Sequence, residues 1–188
     1  MPVEIVPLGA DTWPQFERLF GPSGVQGGCW CAFFRLSGPD YKAAGRDGRK
    51  AHVRAEADAG KPLGLLAIVD GEPLGWVAVS PRADNPRLLR SRVMASDAPG
   101  TVWAITCFYV DRRGRRQGLA TTLLHAAVSH AAAQGAESVE GYPVSDGNRT
   151  AADLYHGTIG MFRDAGFALI EQRGPARALV RRTLPLAR

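Results

Sequence analysis

Arg115-Arg116-Gln117-Gly118-Leu119-Ala120 lies between an apolar stretch, Thr101 to Val110, and an amphipathic one, Leu119 to Gln134. The first predicts a strand and the second a helix, so the hexapeptide is a basic, glycine-bearing turn that opens a helix. Such a turn suits phosphate. The first N–H groups of a helix have no intrahelical partner, and the helix dipole favours negative charge there. Arg112, Arg113, Arg115 and Arg116 surround the turn, and Gly118 lets the backbone approach a ligand with no Cβ in the way. The hexapeptide is not the dinucleotide GxGxxG fingerprint, and no GxxxxGK[ST] P-loop occurs. A solvated arginine-rich turn is the plain alternative.

The flanking elements extend the pattern. Val102, Ala104, Phe108 and Val110 alternate with Trp103, Ile105, Cys107 and Tyr109, which predicts a central strand buried on both faces. Leu119, Leu123, Leu124, Ala127, Val128 and Ala131 share one helical face, and Gly135 stops that helix. Upstream, Val3 to Leu8 predicts a strand. Asp11 or Thr12 caps a helix towards Phe20, with Pro14 in its first turn. A glycine-rich loop, Gly21 to Gly28, follows. Pro39 to Ala59 reads as helix from Ala51, Val53 and Ala55. Leu63 to Val69 and Leu74 to Ser80 flank the hairpin signal Asp70-Gly71-Glu72-Pro73, and Pro81 to Gly100 is a long connection. Downstream come a strand, Glu137 to Val144, a helix, Asn148 to Ala165, weakened at Gly157 and Gly160, and an antiparallel pair, Phe167 to Gln172 with Ala178 to Leu184, around Gly174-Pro175. The order is β α α β β β α β α β β, with no repeats or linkers, so one domain over residues 1–188 is expected.

Composition bounds the function. The chain has 188 residues, 45% hydrophobic and 22% charged, which reads as a soluble globular class. The longest apolar run, Leu63 to Val69, is too short to span a membrane, and no signal peptide is evident at the N-terminus. Three cysteines cannot all pair internally, so a reduced, cytoplasmic protein is expected. A net charge of +5, concentrated at Arg112 to Arg116 and Arg173 to Arg182, favours anionic partners. Nucleic acid is excluded as the working reading, because no recognition motif accompanies the charges.

With Arg115, Gly118 and Ala120 in the fixed places, the hexapeptide fits [Gln/Arg]-x-x-Gly-x-[Gly/Ala] and resembles the acyl-CoA diphosphate loop of the GNAT (GCN5-related N-acetyltransferase) superfamily. The closing Met161-Phe162-Arg163-Asp164-Ala165-Gly166-Phe167 resembles that family's last helix. The resemblance implies an α/β fold with a mixed, twisted sheet of about seven strands and helices on both faces. It implies acetyl-CoA as co-substrate, direct acyl transfer to a primary amine, no metal, and a chain able to pair with a second copy. Phe108, Tyr109 and Val110 would lie against the pantetheine arm, with the Val110 N–H polarising the thioester carbonyl. Arg115, Arg116, Gln117, Gly118, Leu119 and Ala120 would hold the diphosphate.

The proton-transfer residues are less determined. Glu140 is the first choice of base and Asp111 the second. The family often has a tyrosine four residues before the glycine of the closing Gly-Phe, but here that residue is Phe162, which cannot donate. Tyr155, about two turns earlier on a similar face, is then the expected acid, with Tyr109 and Tyr142 as alternatives. Cys29-Trp30-Cys31 lacks a second ligand pair for zinc and reads as a packed or substrate-facing loop whose aromatics, Trp30, Phe33 and Phe34, add surface. Cys107 reads as a core thiol, while His125 and His130 need no role. His156 is pocket or surface. Arg82, Arg87, Arg90 and Arg92 read as solvated loop charges that would also suit an acidic acceptor. The rival function is an acyl-CoA-binding regulatory module with little turnover.

Overall fold

Residues 2–144, 153–174 and 177–185 are described by the structure, a computed structural model. Along the chain run β1 (Val3–Pro7), α1 (Trp13–Phe20), α2 (Gly38–Asp58), β2 (Gly64–Val69), β3 (Glu72–Pro81), α3 (Pro86–Leu89), β4 (Val102–Val110), α4 (Leu119–Ala133), β5 (Ser138–Gly141), α5 (Ile159–Asp164), β6 (Ala168–Arg173) and β7 (Arg177–Thr183). The strands form one sheet in the order β1-β2-β3-β4-β5-β7-β6. Only β4 and β5 are parallel neighbours; the other pairs are antiparallel. No described helix is long and apolar enough to cross a membrane.

Helices cover both faces. On one, α4 buries Leu119, Leu123, Leu124, Ala127, Val128 and Ala131, the face its spacing predicts, and this stripe meets Val77, Val79, Trp103, Ile105 and Phe108. Each fully buried leucine contributes about 1.5–3 kcal/mol. On the other face, Trp13 and Phe16 of α1 and Val53 of α2 pack with Trp30, Leu66 and Trp76. In α2 the buried pair is Val53 and Ala57, four residues apart. Ala51 and Ala55, expected on that face, are exposed, because positions two apart lie on opposite sides of a helix.

Three predicted elements change. The strand expected over Glu137 to Val144 is regular only over Ser138–Gly141. Of the helix expected over Asn148 to Ala165, the described part from residue 153 is a 3-10 turn, Asp153–His156, followed by α5. Gly157 at φ +75° separates them, a conformation a continuing helix does not admit. Asn148 and Pro175 lie outside the described residues.

The third change is in β4. Its register with β3 shifts so that Cys107 faces Ala78 while Ile105 faces Val79. Thr106 is therefore an extra residue, a β-bulge, and a bulge reverses which face the following side chains take. Strict alternation from Val102 to Val110 fails here. Trp103 and Ile105 share the α4 side with Phe108, and Cys107 and Tyr109 turn to the α1 side.

Candidate functional site

The bulge coincides with the end of the β4–β5 ladder, which runs from Val102↔Ser138 to Ile105↔Gly141. Beyond Ile105 the two parallel strands separate. The Asp111 N–H donates to the Leu74 carbonyl of the β3 strand at 2.9 Å. Strand alternation turns the Val110 N–H to the opposite edge, the one β5 has left. Arg115 Nε donates to the Val110 carbonyl at 3.3 Å, tying the basic turn to this strand end.

The turn itself is fixed at several points. The Asp111 carboxylate accepts from the Arg113 N–H and Arg113 Nε, both at 2.9 Å; these bonds, working against burial, hold its carboxyl below the usual range. Asp111, the second choice of base, is thus occupied. Gln117 Nε2 donates to the Arg113 carbonyl at 2.9 Å. Arg116 and Gly118 both adopt left-handed backbone, φ +60° and +76°, which turns the chain into α4. Among the described residues, the backbone N–H groups of residues 115–121 meet no hydrogen-bond acceptor. Residues 115–118 are exposed, so this row of donors at a helix N-terminus faces outward amid arginines.

Next to the separated strands is a cavity of about 290 Å³, lined among others by Phe20, Cys29, Phe33, Tyr109, Tyr155 and His156. Tyr155 stacks on Tyr109 with ring centroids 6.4 Å apart. Burial first, and the Cys107 thiol second, push the Tyr155 phenol above its ordinary pKa. Burial first, with Asp111 behind it, does the same for Tyr109. His156 stands edge-on to Phe34, centroids 6.0 Å apart. The loop over 29–35 that supplies one wall is clamped by Arg35, whose Nη2 donates to Glu56 Oε1 at 3.1 Å and whose Nη1 donates to Ser80 at 3.3 Å. Trp30 and Cys31 within it adopt φ +48° and +58°, local strain of about 1–3 kcal/mol each that such a clamp must hold.

All three cysteines line this cavity. Cys107, read from the sequence as a core thiol, is half-buried there. A hydrogen bond from Cys107, aided by the Trp76 Nε1–H at 3.2 Å, draws Cys31 below the ordinary thiol range, and the same contact raises Cys107 well above it. Burial raises Cys29. Trp30, expected to add aromatic surface, is instead 2% exposed and stacks between Trp13 and Phe20.

Glu140, the expected base, does not line the cavity. It is fully buried on the strand pairing with β7, directly opposite Arg181. One carboxylate oxygen accepts from Arg181 Nε at 2.9 Å and from the Ser96 hydroxyl. The other accepts from the Tyr142 hydroxyl at 3.1 Å, with Arg82 Nε at 3.5 Å. Those partners surround both of its oxygens. Tyr142, an alternative acid, is raised by burial and by Glu140 and spends its proton on Glu140. Phe162 packs against Phe108 and Phe167 in the α4-side core. The site thus gathers Tyr109, Val110, Tyr155 and the basic turn, and separates Glu140 from them. Sequence reasoning left Thr106, Tyr41 and the placement of His156 unread. The aromatic density of residues 29–34 was the one signal that a pocket wall lay nearby.

A family model described as Acetyltransferase (GNAT) family matches residues 30–161, more than half of the chain. No curated protein sequence matches. Among solved structures, the chain is similar to the PaiA N-acetyltransferase from Thermoplasma acidophilum in complex with coenzyme A, at 12% identity and a TM-score of 0.55, over 98% of this chain and 100% of that one. It is similar to the histone acetyltransferase HPA2 and related acetyltransferase from Corynebacterium glutamicum, at 15% and 0.58, over 100% and 99%. It is also similar to a chain of the NatC complex bound to Gag peptide and CoA, at 13% and 0.56, over 98% and 100%. At these identities the likeness is one of fold.

Proposed function

Since the chain belongs to the GNAT acetyltransferase family, we propose that its one domain, residues 1–188, moves an acetyl group from acetyl-CoA directly to an amine. The observation that carries this reading is the row of N–H groups at residues 115–121 without acceptors among the described residues, set beside a strand edge that opens after Ile105. The donors and Arg115 and Arg116 suit a diphosphate. The open edge of Phe108, Tyr109 and Val110 suits the amide groups of a pantetheine arm. Coenzyme A is bound in two of the similar structures.

The thioester supplies an activated acyl group; the chain supplies position and protons. The Val110 N–H, aimed away from β3, meets the carbonyl oxygen as charge grows there, a donor of the kind worth ~3 kcal/mol. A primary amine must lose a proton before it attacks. His156 replaces Glu140 as its acceptor in our reading, because it lines the cavity beside Tyr155 and imidazole exchanges protons near neutrality. The new C–N bond forms as the C–S bond breaks, and Tyr155 gives its proton to the sulfur. Its raised pKa keeps it protonated at neutral pH and makes the transfer to a thiolate, whose acid has pKa ~8.5, uphill, so the phenol regains a proton from solvent, to which His156 releases the one it took.

Calorimetric titration tests the premise. Acetyl-CoA is expected to bind and adenosine not to; dephospho-CoA should bind too, since the diphosphate and pantetheine carry the contacts. Absence of acetyl-CoA binding by folded protein returns the arginine turn to a solvated surface. Tyr155→Phe and His156→Gln test the roles. Each is expected to lower kcat by about 100-fold or more while the acetyl-CoA titration stays within a few-fold of the original. Unchanged turnover in either variant removes that residue from the mechanism, and binding with no transfer to any amine in the parent protein favours a regulatory module.

A further inference from the structure

Two guanidinium groups lie against rings of the cavity's aromatic wall, outside the lining itself, with no counter-charge among the described residues. Arg87 sits 3.9 Å from the centroid of the Phe33 ring and 4.9 Å from that of Tyr41, and Arg49 sits 3.6 Å from that of Tyr41. Both rings line the cavity. Among the described residues neither arginine pairs with a carboxylate. Arg49 donates to the carbonyls of Tyr41, Gly27 and Gly28. Among the described residues the Arg87 side chain donates to the Ser37 carbonyl alone, at 3.4 Å, and its Nε is buried with no acceptor. Three other arginines of the connection and the C-terminal strands do have a carboxylate partner. Arg82 lies against Glu140, Arg173 against Glu171 and Arg181 against Asp97. A buried guanidinium donor with no acceptor is costly, and a planar carboxylate is the group that meets its fork best.

The cavity between this wall and Tyr155 is apolar and small. About 290 Å³ is at the low end for ligand sites and holds one ring or a short aliphatic chain. None of its described lining residues is acidic, and two cations beside its wall with no carboxylate partner among the described residues disfavour an acceptor with several ammonium groups. The same cations lower the proton affinity of an incoming amine, which eases the proton loss the reaction needs.

We propose that the acceptor is a small amino acid in the broad sense: an apolar, preferably aromatic body with an amine at the Tyr155 end and an anionic group at Arg87 and Arg49. The proposal rests on the acetyltransferase reading and deepens it by naming the substrate class.

Paired acceptors test it. Initial rates are measured with para-(aminomethyl)benzoate against benzylamine and with 6-aminohexanoate against hexylamine, with spermidine as the polycation. The acid-bearing member of at least one pair is expected to exceed its plain partner by about tenfold or more in kcat/KM, as fits one added charge-assisted contact. Arg87→Gln is expected to erase that difference through KM while its acetyl-CoA titration shows it folded. Equal or better use of the plain amines, preference for spermidine, or a difference that survives Arg87→Gln overturns the proposal. Acetylation of none of the five, in protein that binds acetyl-CoA, overturns the proposal and leaves the family reading intact. Failure to bind acetyl-CoA instead strikes the reading beneath it.

Discussion

Gly118→Glu is expected to abolish coenzyme A binding while leaving the fold in place. The residue adopts φ +76°, ψ +4° as it leads into α4, and a Cβ built there meets no heavy atom within 4 Å. A side chain therefore costs only the left-handed backbone, about 1–2 kcal/mol, and points into open space. What glutamate adds is charge at the position proposed for the diphosphate. A carboxylate at a helix N-terminus also offsets some of that strain through the helix dipole, so the variant keeps α4. It would instead satisfy the free N–H groups of residues 115–121 itself and repel the incoming phosphates. Calorimetry with acetyl-CoA should show at least a 100-fold loss of affinity, and Gly118→Ala a loss of tenfold or less. The contrast matters more than either value. Equal losses would mean that backbone shape alone is being disturbed, and retained affinity in the glutamate variant would remove the turn from the binding site.

The turn could be read from sequence because everything it needs is local: a strand, four basic residues, a glycine and a helix follow one another without a gap. The α4 face was equally legible, since six residues at helical spacing admit one stripe. The bulge at Thr106 was not. A bulge depends on how β4 registers against β3, thirty residues away, and nothing within Val102–Val110 announces it. Yet it decides which residues face the cavity: without it Cys107 and Tyr109 would lie with Trp103 and Ile105. The chain from Asn148 to Ala165 was half legible. Gly157 marked a weak point, but whether a glycine bends a helix or ends it depends on packing around it. Its ideal Cβ would lie 2.7 Å from Met161 and 3.0 Å from Phe162, so the break also makes room for the core. The break puts Tyr155 and His156 in the 3-10 turn over the β4 strand. Arg87 was visible only as one of several loop cations. Its distinction is a guanidinium laid over the Phe33 and Tyr41 rings with its Nε buried and no carboxylate partner among the described residues, a property of the fold.

Glu140→Ala is the sharpest test of how that fold divides structure from catalysis. In the folded chain its carboxylate serves Arg181, Ser96, Tyr142 and Arg82 at once. Truncation leaves the Arg181 and Arg82 side chains, only 17% and 14% exposed, without their buried counter-charge, and leaves the Tyr142 hydroxyl without an acceptor. Breaking a buried pair from one side costs about 3–5 kcal/mol, which for a chain of this size lowers the melting temperature by roughly 10 °C. Glu140→Gln keeps the shape and one acceptor and should lose about half as much. A base would behave in the opposite way. Its isosteric amide would fold normally and lose turnover, because a carboxamide cannot take the amine's proton. The expected result is a glutamine variant that melts early and, assayed well below its transition, transfers acetyl groups within a few-fold of the original rate. A stable variant without activity would restore Glu140 as the proton acceptor and require a path from the cavity to its buried oxygens. Because His156→Gln predicts the reverse pattern, normal melting with slow transfer, the two substitutions made side by side locate the base whichever residue it is.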